Sequence, residues 1–378
     1  MIKRILQNKI KNELFKSKAI IIFGPRQVGK TTLLKEISKN FDKVQWFNAD
    51  EVEVQALFEK ASLSNFKSFL KKEHLVIIDE AQNIPDIGIK LKIIVDSMPD
   101  IQLLVSGSSS FELANTINEP LTGRKFEYLL FPLSFEELVN QKGLFEEYKM
   151  LKQRLVYGYY PDVVTHLSNS RKILKSLTTS YLYKDILKWN RIKKPDKLVK
   201  LLQALAYQIG NQVSYNELGQ IAGLDNETVE NYIQLLEQAF VIYRLPSFSR
   251  NLRNELKRTR KIYFYDNGIR NAIIENYNPI ELRNDVGALW ENFIIAERMK
   301  YINYHDIYTN RYFWRTHSQQ EIDYIEERDG KLYAFEFKWN TRKKYKFPKK
   351  FIEAYPENET KIITPENYYE FITDIKNE

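Results

Sequence analysis

An α/β fold is predicted for this 378-residue chain: a parallel sheet first, a helical middle, then a smaller α/β region. Three observations predict it. An apolar strand at 19–23 runs into a glycine-containing loop and then an amphipathic helix. After Pro161 the strand-and-loop rhythm stops and helical periodicity takes over to about residue 240. Near the end, two alternating strands meet at Asp329-Gly330, a two-residue hairpin signal. Expected boundaries are 1–140 for the first domain, 141–194 for a helical lid or linker, 195–270 for a helix-turn-helix module and 271–378 for the last domain.

The first loop, Gly24, Pro25, Arg26, Gln27, Val28, Gly29, Lys30, Thr31 and Thr32, has the form G-x-x-x-x-G-K-T between strand and helix. That is a Walker A loop, so a P-loop NTPase parallel sheet is expected. The glycines let backbone N–H groups turn toward the phosphates of ATP, Lys30 adds a cation, and Thr31 offers its hydroxyl to Mg at the positive end of the helix. About fifty residues on, "HLVIIDEAQ" ends an apolar strand in Asp79 and Glu80. Asp79 is expected to hold Mg, and Glu80 to polarise a water against the γ-phosphate. The strand "IQLLVSGSSS" ends in hydroxyls, of which Ser106 and Ser108 either sense the γ-phosphate or cap the next helix. Arg124, on the glycine turn "LTGRK", reads either as an arginine finger, in cis or from a neighbouring subunit, or as a plain surface residue.

Composition narrows the chemistry. With no cysteine and four scattered histidines (His74, His166, His305, His317), thiol catalysis, disulfides and the usual zinc sites are excluded. Any metal must be held by oxygen, which suits Mg. No apolar run approaches a membrane span, and the charged N-terminus lacks the apolar block of a secretory signal, so cytoplasmic residence and no membrane partner are expected. The net charge of +8 gathers in runs such as "RNLRNELKRTRK", which leaves room for a polyanionic partner such as DNA.

The segments "GPRQVGKTTLL", "IIDEAQ", "SGSS", "LTGR" and "FPLSFEE" resemble the bacterial and archaeal P-loop ATPases of the AAA/STAND type. "YPDVV", "YLYKDIL", "YFYDNGIRNAI" and "GALWENFI" follow that family's order through the rest of the chain. The resemblance implies ATP binding, and it leaves the biological role, a protein partner and homo-oligomerisation open.

The middle segment "VSYNELGQIAGLDNETVENYIQLLEQAFVIYRLP" reads as a winged helix-turn-helix. Ser214 with Glu217 predicts a capping box, Gly223-Leu224 the turn, and Asp225 the start of a second helix with Val229, Tyr232 or Ile233, Leu236 and Phe240 as its apolar stripe. Its outward face carries Asn226, Glu227, Glu230, Asn231, Gln234 and Glu237, with no arginine or lysine, which is poor chemistry for a groove bordered by phosphates. DNA contact would then fall to the basic segment 250–261, through Arg253, Lys257, Arg258 and Arg260.

In the hairpin, pairing about Asp329-Gly330 places Asp323 opposite Glu336 and Glu321 opposite Lys338, with Phe335, Phe337 and Trp339 on the other face. Like charges opposite one another destabilise a sheet unless a cation intervenes, so the patch is either a salt-bridged surface or a metal site. An amphipathic helix carrying Glu291 precedes it. The order helix-Glu, strand, strand-Asp, hairpin, strand Glu-x-Lys resembles the restriction-endonuclease-like, or PD-(D/E)xK, fold. On that resemblance Glu291, Asp323 and Glu336 bind Mg and Lys338 steadies the attacking water; the family's proline ahead of the Asp is replaced by Glu321-Ile322. The chain thus reads as an ATPase whose nucleotide state gates a DNA-associated, nuclease-like C-terminal region. The rival is a nucleotide-dependent switch whose C-terminal modules are inert protein-binding surfaces.

Overall fold

The structure, a computed structural model, describes residues 2–59, 62–70, 75–107, 117, 120–182, 194–249, 260–316, 318–342 and 345–374. They fall into two compact units, Met1–Leu133 with Gln238–Phe240, and Ser134–Glu237 with Val241–Glu378.

In the first unit, β1 (Ala19–Phe23), β2 (Val44–Asn48), β3 (Leu75–Asp79), β4 (Gln102–Gly107) and β5 (Lys125–Leu129) form a wholly parallel sheet of order β2-β3-β4-β1-β5. Every residue of β1, β3 and β4 is buried, as their continuous apolar runs require of a sheet covered on both faces. Helices α1 (Ile5–Glu13), α2 (Lys30–Ser38), α3 (Val52–Glu59), α4 (Leu63–Phe69) and α5 (Ile87–Ser97) supply the covering layers. Because β4 lies between the two Walker strands, the C-terminal ends of β1, β4 and β3 stand side by side, which is where an open parallel sheet binds ligands.

The second unit opens with short helices α6 (Phe135–Lys142), α7 (Leu144–Lys149), α8 (Leu151–Tyr157), α9 (Pro161–Thr165) and α10 (Ser170–Ser176). Next come α11 (Pro195–Tyr207), β6 (Gln212–Val213), α12 (Tyr215–Ala222), α13 (Asn226–Gln238), β7 (Ile242–Pro246) and β8 (Arg260–Phe264), the strands forming an antiparallel sheet of order β6-β8-β7. Ser214 caps α12 by accepting from the Glu217 N–H at 3.5 Å, but the Glu217 carboxylate accepts from Gln208 at 2.8 Å. The expected capping box is therefore half formed. Helix α13 buries Val229, Tyr232, Ile233 and Leu236 and exposes Asn226, Glu227, Glu230, Asn231 and Gln234.

The rest comprises α14 (Asn267–Ile273), α15 (Val286–Tyr304), β9 (Asn310–Arg315), β10 (Glu321–Arg328), β11 (Lys331–Phe337), α16 (Lys349–Ala354), β12 (Asn358–Ile363) and α17 (Tyr369–Ile372). Its sheet has the order β12-β11-β10-β9, antiparallel except for the parallel β11–β12 pair. Asp329 and Gly330 take φ of 51° and 77°, the left-handed pair a two-residue hairpin needs, and β10 meets β11 from Tyr324↔Phe335 to Arg328↔Lys331 in the expected register. The expectation of an amphipathic α15 is corrected: from Leu289 to Lys300 all but Glu291 are buried, a pattern of a core helix. Its interior charges persist because they are paired, Arg298 with Glu326 at 2.7 Å and Lys300 with Glu297 at 2.6 Å. A Phe248 N–H to Phe313 carbonyl bond of 2.6 Å joins the two sheets of this unit. Among the described residues no helix is long and apolar enough to cross a membrane.

Candidate nucleotide site and a second acidic cluster

The Walker A loop leaves β1 at Phe23 and enters α2 at Lys30. Gly24 sits at φ 153°, and the Leu130 carbonyl occupies the space a Cβ would take, so only glycine fits. Gly24→Ala is expected to destabilise the first unit by about 1–3 kcal/mol and to remove nucleotide binding, read by thermal melting and by nucleotide titration. Pro25 and Val28 are buried, Arg26 and Gly29 half-buried, Gln27 and Thr32 exposed. Gly29 is the N-cap of α2 and offers no side chain to it. The Lys30 ammonium, 4% exposed, donates to the carbonyls of Gly24 and Pro25 at 2.9 and 3.0 Å, so the loop curls around it.

Beneath the loop, two side chains meet on Asp79 at the end of β3, Thr31 from the start of α2 and Ser106 from β4. Thr31 donates to its Oδ2 at 2.7 Å and the buried Ser106 donates to its Oδ1. Ser106 also accepts from the Glu80 N–H at 3.3 Å. Glu80 takes a left-handed φ of 54°, and its carboxylate is held by Gln82 at 2.6 Å. A hydroxyl and a carboxylate within hydrogen-bond distance, beside a helix start and a buried ammonium, are the donor set that Mg-ATP asks for, so the residues fit that group. Ser108 lies outside the described residues.

Arg124 is elsewhere. It precedes β5, and its carbonyl accepts from the N–H of Ala19, at the start of β1. The loop follows the other end of β1, four residue steps or roughly 13 Å of strand away. The guanidinium instead pairs with Asp96 at 2.5 Å. A cis arginine finger is thereby corrected, since this side chain cannot span the sheet; delivery to a neighbouring subunit and a plain surface role are left. Sequence inspection missed Arg4, which donates to the carbonyls of Val28 and Phe131 at 2.7 Å each and braces the loop from the N-terminal segment. It sat in a charged N-terminus that gave no signal beyond solvation.

The C-terminal acids also converge. The regular ladder stops at Tyr324↔Phe335, and β10 carries an irregularity toward β9 between Ile322 and Ile325. Here side chains take over the ladder: the Asp323 N–H donates to Glu336 Oε1 at 3.2 Å, and the Phe337 N–H donates to Asp323 Oδ2 at 2.9 Å. Bulged strands re-aim side chains in this way. Lys338 donates to Glu336 Oε2 at 2.5 Å and stands 3.5 Å from Asp323. Burial first, then the Asp323 charge, pushes the Glu336 carboxyl up to about 8 despite Lys338.

Two expectations need correction. Glu321 does not face Lys338; it pairs with Lys261 at 2.5 Å and Arg315 at 3.2 Å. Lys261, assigned by sequence to a phosphate-contacting segment, is 1% exposed and also pairs with Glu291 at 3.1 Å. Tyr263 donates to the same Glu291 oxygen at 2.5 Å. Burial lifts the Glu291 carboxyl to about 7, with Lys261 opposing and Asp323 adding to the rise. Of the other basic residues, Arg260 contacts the Tyr215 hydroxyl at 3.2 Å, while Arg253, Lys257 and Arg258 lie outside the described residues. Among the described residues, the three-ligand group whose atoms all lie within 4.8 Å of one another is Glu136, His305 and Asp374. Glu291 is paired with Lys261, and Asp323 and Glu336 with Lys338, so gathering the three acids around Mg requires those ammonium groups to shift.

Three family models match the chain: an AAA domain over residues 16–139, and two domains of unknown function, DUF8612 over 148–279 and DUF4143 over 286–375. An uncharacterized protein of Mycobacterium tuberculosis is 27% identical over 340 residues, covering 87% of this chain and 72% of its own length. Another, from Haemophilus influenzae, is 24% identical over 383 residues, covering 93% of this chain and 89% of its own. Among solved structures, a Walker-type ATPase of Pyrococcus abyssi superposes with a TM-score of 0.52 at 14% identity, covering 72% of this chain and 96% of that one, a likeness of fold. The sheet order and loop geometry of the first unit are those of a P-loop NTPase fold, and the AAA domain model matches the same stretch, residues 16–139.

Proposed function

We propose that the chain hydrolyses ATP with Mg at the loop 24–32 and that the nucleotide state gates a DNA-associated, nuclease-like second unit. The observation that carries the first half is the Thr31–Asp79–Ser106 set at 2.7 Å and closer, reached by the Glu80 N–H, beneath a loop that encloses the Lys30 ammonium. Bound Mg would supply charge neutralisation at the phosphates, with Thr31 and Asp79 as its protein partners. Lys30 neutralises phosphate oxygens, Glu80 orients the attacking water, and Ser106 ties the two acidic positions together so that a change at one is felt at the other. Arg124, just before the start of β5 and paired with Asp96, either serves a neighbouring subunit or is a plain surface residue.

For the second unit, the order α11-β6-α12-α13-β7-β8 with sheet β6-β8-β7 supports a winged helix. The order α15-β9-β10-β11-α16-β12, with Glu291, Asp323, Glu336 and Lys338 in one cluster, supports the restriction-endonuclease-like fold. Asp323 and Glu336 would hold the metal there and Lys338 would steady the charge on the scissile phosphate. The regulatory-switch reading has its own observation: the exposed face of α13 bears acids and amides, and ammonium groups already neutralise the acidic cluster.

Cleavage of end-labelled single-stranded and duplex DNA, with and without Mg and ATP, separates the two. Mg-dependent cleavage that ATP alters, and that Asp323→Ala reduces roughly 100-fold or more with ATP hydrolysis intact, is the expected result. ATP hydrolysis without any cleavage or salt-sensitive DNA retention hands the second unit to the switch reading.

A further inference from the structure

We propose that Lys261 is a built-in cation of the acidic cluster, its ammonium held between Glu291 and Glu321, so that a divalent ion taking Glu291 as a ligand enters only by displacing it. The inference rests on the nuclease-like reading of that cluster. Its ground is geometric. The acids come from α15 and β10, whereas Lys261 reaches them from β8, a strand of the other sheet in the same unit. Its side chain is 2% exposed, and its Nζ lies 2.5 Å from Glu321 Oε1 and 3.1 Å from Glu291 Oε1. Tyr263, on the same face of β8, donates to that same Glu291 oxygen at 2.5 Å, so one strand aims two donors at one carboxylate.

Lys261 is the cation that Glu291 pairs with, whereas the other acids have cations of their own. Glu321 already has Arg315 at 3.2 Å, and Asp323 and Glu336 already share Lys338. Burying a strongly hydrated ammonium is costly, and burial alone would lower the Lys261 pKa; the charges of Glu291, Asp323 and Glu321 outweigh it and hold the group protonated. Four carboxylates thus face three fixed cations, and a doubly charged ion placed beside Lys261 would meet direct repulsion. With Lys261 withdrawn, the same carboxylates would present free oxygens of the type Mg and Mn take. Lys261 in this account is a positioning residue that sets whether the cluster is closed by an ammonium or open to metal.

The test uses the full chain, nucleotide-free, with Asp79→Asn to silence the P-loop site, and reads Mn binding by calorimetry and by loss of the free-ion paramagnetic resonance signal. Lys261→Met is expected to bind one Mn per chain at least tenfold more tightly than the parent, Lys261→Arg to match the parent, and Asp323→Asn added to Lys261→Met to abolish the gain. Equal affinity in parent and Lys261→Met overturns the inference and leaves the metal cluster standing. No Mn binding in any of them removes the cluster's metal reading, and the inference falls with it. Should Lys261→Met fail to fold, the parent itself decides: acetic anhydride labelling read by mass spectrometry is expected to spare Lys261 without metal and to reach it at saturating Mn. Unchanged protection at saturation overturns displacement.

Discussion

Lys30→Ala is expected to lose ATP binding by roughly 100-fold or more while leaving the first unit folded, and Glu80→Gln to bind ATP and fail to hydrolyse it. The first expectation follows from where the ammonium sits. Lys30 is buried inside the loop and donates to the carbonyls of Gly24 and Pro25 in the absence of nucleotide, which places it at the centre of the curl that phosphates would fill. Hydrogen bonds to charged groups are worth about 1.5–3 kcal/mol each, so losing two phosphate contacts accounts for a change of that size. The second expectation follows from separation of roles. Thr31, Asp79 and Ser106 form one hydrogen-bonded set, whereas the Glu80 carboxylate is turned aside onto Gln82, outside that set. Glutamine keeps the shape and removes the base, so turnover falls and affinity stays. Fluorescent-nucleotide titration and phosphate release check both; turnover that persists in the two variants would remove the ATPase reading.

The first unit was legible because its signals are local. A strand, a loop with fixed glycines and a helix occupy consecutive residues, and the apolar runs at 19–23 and 75–78 leave no alternative to buried parallel strands. The hairpin was legible for the same reason: Asp329-Gly330 fixes the turn, and the turn fixes the register of β10 on β11. What failed to show in the sequence are the long-range partners. Arg4 lies 24 residues from the loop carbonyl it braces, and no periodicity links the two. Lys261 belongs to a basic run and reads as solvated, yet the packing of β8 against α15 and β10 buries it. Helix α15 reads as amphipathic because the charged residues in its pattern predict a water-facing side, and each finds a counter-ion inside the unit instead. Arg124 was assigned by its place in a motif, and motif order carries no information about which end of the sheet it occupies.

The largest effect on stability is expected at Arg154, in a segment to which sequence patterning assigned no chemistry. Its guanidinium grips Glu147 in fork geometry, Nε to Oε1 at 2.7 Å and Nη2 to Oε2 at 3.1 Å, with the two side chains 1% and 0% exposed. The Tyr159 ring lies 5.3 Å from the guanidinium carbon, and burial pushes the Tyr159 hydroxyl far above its usual range, so no proton from it will neutralise the carboxylate. Arg154→Met therefore leaves a buried carboxylate without a cation, a loss of about 3–5 kcal/mol, comparable to a large part of a typical domain's stability. Removing both charges is a different matter, because the double variant Arg154→Met with Glu147→Met abolishes the desolvation cost together with the attraction, and such replacements are often neutral. Urea unfolding of the full chain, followed by tryptophan fluorescence, should show the single variant with a much lower midpoint and the double variant restored to near the parent. ATP binding, whose residues all lie in the first unit, should survive in both. If the double variant is as unstable as the single one, the coupling between Arg154 and Glu147 is not what holds these helices, and the loss must be assigned to packing of the arginine stem instead.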